Sequence, residues 1–181
     1  MQNFDARSKL EKSGRLYIVT NLMQQEQREA LDGVFKHLDR DKDNFITRNE
    51  LKFALQRAHG KDKNEKIEKM LEDTFNRCDL KKNGVIDYSE FLAAAADDSV
   101  LLTKENLKAT FDAFDKSHTG TITVDDLKAL FNEGRRKKLL HKRDAKKIMR
   151  QVDMDGDGEI NFDEFSDLMR GFDLSDSRGS R

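Results

Sequence analysis

The chain has no proline, and its only cysteine is Cys78. A single thiol excludes an intramolecular disulfide and suits a reducing compartment. No apolar run approaches the roughly 20 residues that a helical membrane span requires. The amino terminus lacks the basic, apolar and small-residue succession of a secretory signal. The expected location is therefore cytoplasmic, with access to the nucleus open. An excess of one charge is also missing: 34 basic residues face 35 acidic ones, for a formal net charge of −1. No nucleic-acid partner is expected. The balance hides local segregation, because Arg135–Arg150 holds nine Lys or Arg against one acid, Asp144. That run reads either as an anionic docking surface or nuclear address, or as the solvated face of a linker and helix. What remains is 38% charged and 36% hydrophobic over 181 residues. This allows two modest cores of about 75 residues each.

Four windows of the chain share one template. They are Asp39–Glu50 (DRDKDNFITRNE), Asp79–Glu90 (DLKKNGVIDYSE), Asp115–Asp126 (DKSHTGTITVDD) and Asp153–Glu164 (DMDGDGEINFDE). Their starts lie 40, 36 and 38 residues apart, and a repeat of this period defines the architecture. Leu31, Val34, Phe35 and Leu38 precede the first window, and Leu51, Phe53, Ala54 and Leu55 follow it. Ile148, Met149 and Val152 precede the last, and Phe165, Leu168 and Met169 follow it. Such i, i+3, i+4 spacing predicts amphipathic helices. The repeated unit is thus helix, twelve-residue loop, helix, and the expected fold class is all-α. Every window has isoleucine at its eighth position: Ile46, Ile86, Ile122 and Ile160. A β-branched residue there suits a short strand, and a lone short strand is unstable. The loops should therefore pair, Ile46 beside Ile86 and Ile122 beside Ile160. Residues 24–97 and 98–171 are then two lobes. Thr103 is the expected cap of the helix that opens the second.

The windows have the oxygen spacing of a calcium loop. Calcium takes six to eight oxygens, and the EF-hand loop supplies them from positions 1, 3, 5, 7, 9 and 12, turning sharply at position 6. The fourth window offers Asp153, Asp155 and Asp157, the Glu159 carbonyl, Asn161 and Glu164, with Gly158 at the turn. The first offers Asp39, Asp41, Asp43, the Phe45 carbonyl, Thr47 and Glu50. Asn44 takes the turn there, and asparagine tolerates the left-handed region better than other side chains. The third is weaker: Asp115, Ser117, Thr119, the Thr121 carbonyl, Thr123 and Asp126 include two carboxylates, and Asp126 is a methylene shorter than glutamate. The second keeps Asp79, Asn83, the Val85 carbonyl, Asp87 and Glu90 but places Lys81 at position 3. These residues predict two strong calcium sites, a third weak or magnesium-binding site, and a degenerate second loop.

The chain resembles the calmodulin-like regulatory domain of calcium-dependent protein kinases, within the EF-hand superfamily. KLEKSGRLYIVTNLMQQEQREALDGVFKHLDRD resembles that family's junction helix running into its first hand. NGVIDYSEFLAAA resembles its second loop and following helix, and ENLKATFDAFDKSHTGTIT its third hand. The resemblance implies a calcium sensor that regulates an attached serine/threonine kinase domain in cis. A stand-alone sensor acting on other amphipathic helices in trans is the alternative. The chain carries no Gly-rich loop, HRD or DFG triplet. No nucleophile, base and orienting group stand together outside the loops, so the chain itself is not expected to be an enzyme.

Residues 1–23 read directly as a docking helix. Over residues 6–22, Leu10, Tyr17, Ile18 and Leu22 lie near one face, and Arg7, Lys9, Lys12 and Arg15 add positive charge. A basic amphipathic helix is what a calmodulin-like groove binds, although an ordinary packed amino-terminal helix has the same pattern. Met70, Met149 and Met169 fit either a groove lining or plain core. His37, His59, His118 and His141 have no ligand spacing and are expected at the surface. Cys78 is expected to pack as a small apolar group. The polar tail, residues 172–181, is expected to be disordered.

Overall fold

The computed structural model describes residues 6–59, 64–132 and 142–171. The basic run as far as His141 and the tail from residue 172 lie outside the described residues. Among the described residues, ten helices and two short strands follow in the order α1 (Ala6–Asn21), α2 (Gln25–Leu38), β1 (Phe45–Thr47), α3 (Arg48–Ala58), α4 (Asn64–Cys78), β2 (Val85–Asp87), α5 (Tyr88–Ala95), α6 (Asp98–Leu101), α7 (Lys104–Phe114), α8 (Val124–Asn132), α9 (Lys142–Val152) and α10 (Phe162–Met169). Among the described residues no helix is long and apolar enough to cross a membrane.

The chain forms two compact units. One is Val19–Asp97; the other joins the described residues up to Ile18 with those from Asp98 onward. In the first, β1 pairs antiparallel with β2 in the register Phe45↔Asp87, Ile46↔Ile86, Thr47↔Val85. The paired isoleucines lie at 1% and 3% exposure beside Phe35, Leu51, Leu71 and Phe75. Cys78 packs against this cluster as a half-buried apolar group. Phe35 meets the rings of Tyr88 and Phe91 edge-on, with centroids 5.1 and 5.4 Å away. Such contacts add to the apolar area they bury. Arg28 of α2 donates to the carbonyls of Val19 (2.7 Å), Thr20 (3.1 Å) and Met23 (3.3 Å). It thereby satisfies orphan acceptors at the end of α1.

In the other unit, Ile122 and Ile160 form a single antiparallel bridge, each N–H donating to the other's carbonyl at 2.9 Å. Around it Leu107, Phe111, Phe114, Leu127, Ile148, Val152, Phe165, Leu168 and Met169 are almost fully buried. Thr103 caps α7 by accepting the Asn106 N–H at 3.2 Å. The expected pairing of the eighth-position isoleucines and the expected cap are both found.

Position 9 of three loops is also the N-cap of the exiting helix, and position 12 is its third residue. Thr47 with Glu50, Asp87 with Glu90, and Asn161 with Glu164 each form a reciprocal capping box. The acid that closes the loop therefore also starts the helix.

Candidate metal centres

The four loops share one backbone course. Position 6 has positive φ in each: Asn44 (68°), Gly84 (85°), Gly120 (90°) and Gly158 (89°). So does position 4, at Lys42 (62°), Lys82 (53°), His118 (54°) and Gly156 (80°). The second left-handed residue was not visible in the sequence, since lysine and histidine carry no turn signature. The position-1 aspartates use their carboxylates to hold the turn. Asp39 accepts the N–H groups of Asp43 (3.2 Å) and Asn44 (3.0 Å). Asp153 accepts those of Gly156 (2.7 Å) and Gly158 (3.0 Å).

In the first loop the structure brings Asp39, Asp41 and Asp43 together, with one oxygen of each within 4.8 Å of the others; in the fourth it does the same for Asp153, Asp155 and Glu164. Oxygens this close repel unless a cation stands among them. The Asp41 carboxyl is held above its ordinary range. Desolvation pushes it up, and the charges of Asp43, Glu50 and Asp39 push the same way, overcoming donation from the Asp43 N–H. The donor set is hard carboxylate oxygen, which suits calcium or magnesium rather than a softer metal. These residues fit a divalent cation.

Glu50 and Glu164 reach back across their loops. Glu50 is 8% exposed. It accepts the N–H groups of Arg40 (2.8 Å) and Thr47 (2.8 Å) and the Thr47 hydroxyl (2.7 Å). Burial pushes its carboxyl up, but these donors outweigh burial and hold it below the ordinary range. Glu164 accepts the N–H groups of Met154 (2.6 Å) and Asn161 (3.0 Å).

The third loop is held by hydroxyls. Asp126 accepts from the Ser117 N–H (2.8 Å) and hydroxyl (3.1 Å), and from the Thr123 N–H (2.8 Å) and hydroxyl (2.6 Å). The shorter side chain still spans the loop. Burial pushes its carboxyl up, and the Thr123 and Ser117 donors override burial to hold it low. In the second loop Lys81 is exposed, but its stem turns toward the site. Its ammonium pairs with Asp87 at position 9. His37, His59 and His118 are exposed, as expected.

The unit holding loops three and four also contains most of α1. Leu10 and Ile18 are fully buried in it, each worth about 1.5–3 kcal/mol. The Tyr17 ring meets Phe114 edge-on at 5.8 Å, and Lys9 lies over the Phe131 ring at 5.0 Å. Arg15 grips Asp98 with both guanidinium nitrogens, at 2.7 and 3.0 Å. The remaining docking residue, Leu22, is half-buried and belongs to the other unit. Gly14 was not singled out by the pattern. It lies one turn from both Leu10 and Ile18. A Cβ there would stand 2.6 Å from the Met169 sulfur and 2.8 Å from its methyl, so α1 approaches α10 closely. Met169 and Met149 are buried, at 0% and 5% exposure.

The profile of the EF-hand domain pair matches residues 28–96 and again 104–170. Similar curated proteins are calcium-dependent protein kinase 4 of Plasmodium berghei (strain Anka), 33% identical over 93% of this chain and 33% of its own length; calcium-dependent protein kinase 21 of Arabidopsis thaliana, 32% over 94% and 30%; and calcium-dependent protein kinase 19 of Oryza sativa subsp. japonica, 34% over 94% and 31%. The chain spans about a third of the length of these relatives.

Proposed function

The chain belongs to the EF-hand domain-pair family, and on that premise we propose that it is a calcium-sensor module controlling a serine/threonine kinase domain in cis. The observation that carries this reading is the convergence of three carboxylates in each of loops one and four, from positions 1, 3 and 5 in the first and 1, 3 and 12 in the fourth. Asp39, Asp41, Asp43, the Phe45 carbonyl, Thr47 and Glu50 would hold one ion. Asp153, Asp155, Asp157, the Glu159 carbonyl, Asn161 and Glu164 would hold another. Loop three, with hydroxyls in place of two carboxylates, takes calcium weakly or magnesium with retained waters. Calcium, when bound, supplies the positive charge that these clustered acids lack.

The coupling runs through the position-12 acid. Glu164 closes loop four and lies in the first turn of α10. Phe165 follows it directly, and Phe165 and Met169 are the α10 side chains that face Gly14 of α1. A shift of Glu164 thus moves the surface on which α1 rests. This is a contiguous physical path between loop and docking helix. Residues 1–23 would then link the sensor to the kinase domain, and α1 would report the state of loop four.

Hydrophobic-dye fluorescence and hydrogen exchange of the α1 amides, with and without calcium, test the reading. The expected result is a calcium-dependent change in both, with the α1 response lost in Glu164→Gln and kept in Glu50→Gln. A chain that binds calcium with no change in either signal is a passive buffer.

A further inference from the structure

The second loop has the backbone of its three counterparts but a different lining. Lys82 and Gly84 take the two left-handed positions, and Asp79 accepts the N–H groups of Asn83 (3.1 Å) and Gly84 (3.0 Å). Glu90, at 0% exposure, accepts those of Lys81 (2.8 Å) and Asp87 (2.9 Å). The closing acid is thus drawn across the loop as Glu50 is in the first. What differs is the chemistry inside. The Lys81 ammonium, at position 3, contacts the Asp87 carboxylate, at position 9. With its amide turned to the orientation that satisfies both neighbours, Asn83 donates to Asp79 Oδ1 at 3.3 Å and to the Val85 carbonyl at 2.8 Å. At positions 3 and 5, where a metal loop presents oxygen, this loop presents N–H.

We propose that Lys81 is the resident cation of the second loop: its ammonium, helped by the Asn83 amide, takes the place of a metal, and its lobe answers to one ion. The inference rests on the reading of loops one and four as calcium sites and adds which residue decides the occupancy of their neighbour. Burial would raise the Asp87 carboxyl, yet the Lys81 ammonium and the Glu90 and Ser89 N–H groups hold it low. Asp87 is therefore charged and matched to Lys81 across the neutral range. Loop three offers the contrast. Its Ser117 hydroxyl also points inward, its one proton within reach of Asp115 at 3.2 Å and Asp126 at 3.1 Å, but a hydroxyl can rotate and present a lone pair. An ammonium has three hydrogens and no lone pair to give. At position 3, loop three can present an oxygen by a rotation, and loop two cannot. With its own cation in place, loop two keeps β2 ready to pair with β1 through Ile46↔Ile86. The first loop then binds against a partner that is already shaped.

Hydrogen exchange of the β1 and β2 amides in a chelator tests this without calcium, so its result does not depend on whether loops one and four bind the ion. Lys81→Gln should lower protection at least tenfold, and Lys81→Arg, which keeps charge and donors, should restore it. Lys81→Asp should lose protection in chelator, and on adding calcium should regain it with one ion more than wild type by calorimetry. Unchanged protection in Lys81→Gln, or failure of Lys81→Asp to gain an ion, overturns the assignment. So does calcium bound by the second loop of the wild-type chain.

Discussion

Asn44 and Gly158 hold the same place in their loops, at φ values of 68° and 89°. A side chain in the left-handed region costs about 1–2 kcal/mol, and asparagine partly escapes because its amide bonds locally. Gly158→Ala should therefore destabilise the metal-free protein by about 1 kcal/mol in urea unfolding. Asn44→Gly should stay within about 0.5 kcal/mol, since relief of strain is offset by entropy gained in the unfolded chain. Equal losses in the two variants would contradict the strain argument. Protons act at the same scale. The carboxyls of Glu50, Asp87 and Asp126 are all held below their ordinary values, so the folded state binds fewer protons than the unfolded chain in acid. Their stabilisation is complete above the unfolded values and is lost as pH falls through the lower folded ones. In chelator the urea midpoint should be level above about pH 5 and decline below about pH 4. Asp41, held high, opposes this in part. A midpoint that rises from pH 5 to 3 would contradict the sign.

α1 shows which packing features a sequence discloses. Leu10, Tyr17 and Ile18 were legible because apolar side chains at helical spacing mark a buried stripe. Gly14 was not, because a missing side chain leaves no apolar signal and its role appears only against Met169. The capping boxes explain why the loops themselves were legible. Their oxygens recur at fixed offsets whatever the fold around them, and the same residues start the next helix. Gly14→Ala should be tolerated, since the group it meets is the flexible tip of Met169. Gly14→Leu should lift α1 away, lower the thermal midpoint of that unit and raise hydrogen exchange along α1. A Gly14→Leu protein with wild-type exchange at α1 would contradict the close approach. The Arg15–Asp98 pair is bidentate, but Asp98 is 60% exposed at its side chain. Arg15→Met should cost only about 1 kcal/mol, and the difference should shrink in high salt.

At the scale of the whole chain, four copies of one motif have diverged into three chemistries. Loops one and four gather carboxylates, loop three hydroxyls, and loop two nitrogen donors. That division was legible in the sequence, because each class follows from the residue types at positions 3 and 5. The direction taken by Lys81 did not follow, because a flexible four-carbon stem reaches solvent or Asp87 equally well until the loop is folded. The most direct measurement is calcium titration calorimetry on the wild type, Glu50→Gln and Glu164→Gln. The expected isotherm has two strong sites, with a weak third from loop three. Each substitution should remove one strong site and leave the other. An isotherm unchanged by both, or one showing strong binding that survives their combination, would contradict the assignment of calcium to loops one and four.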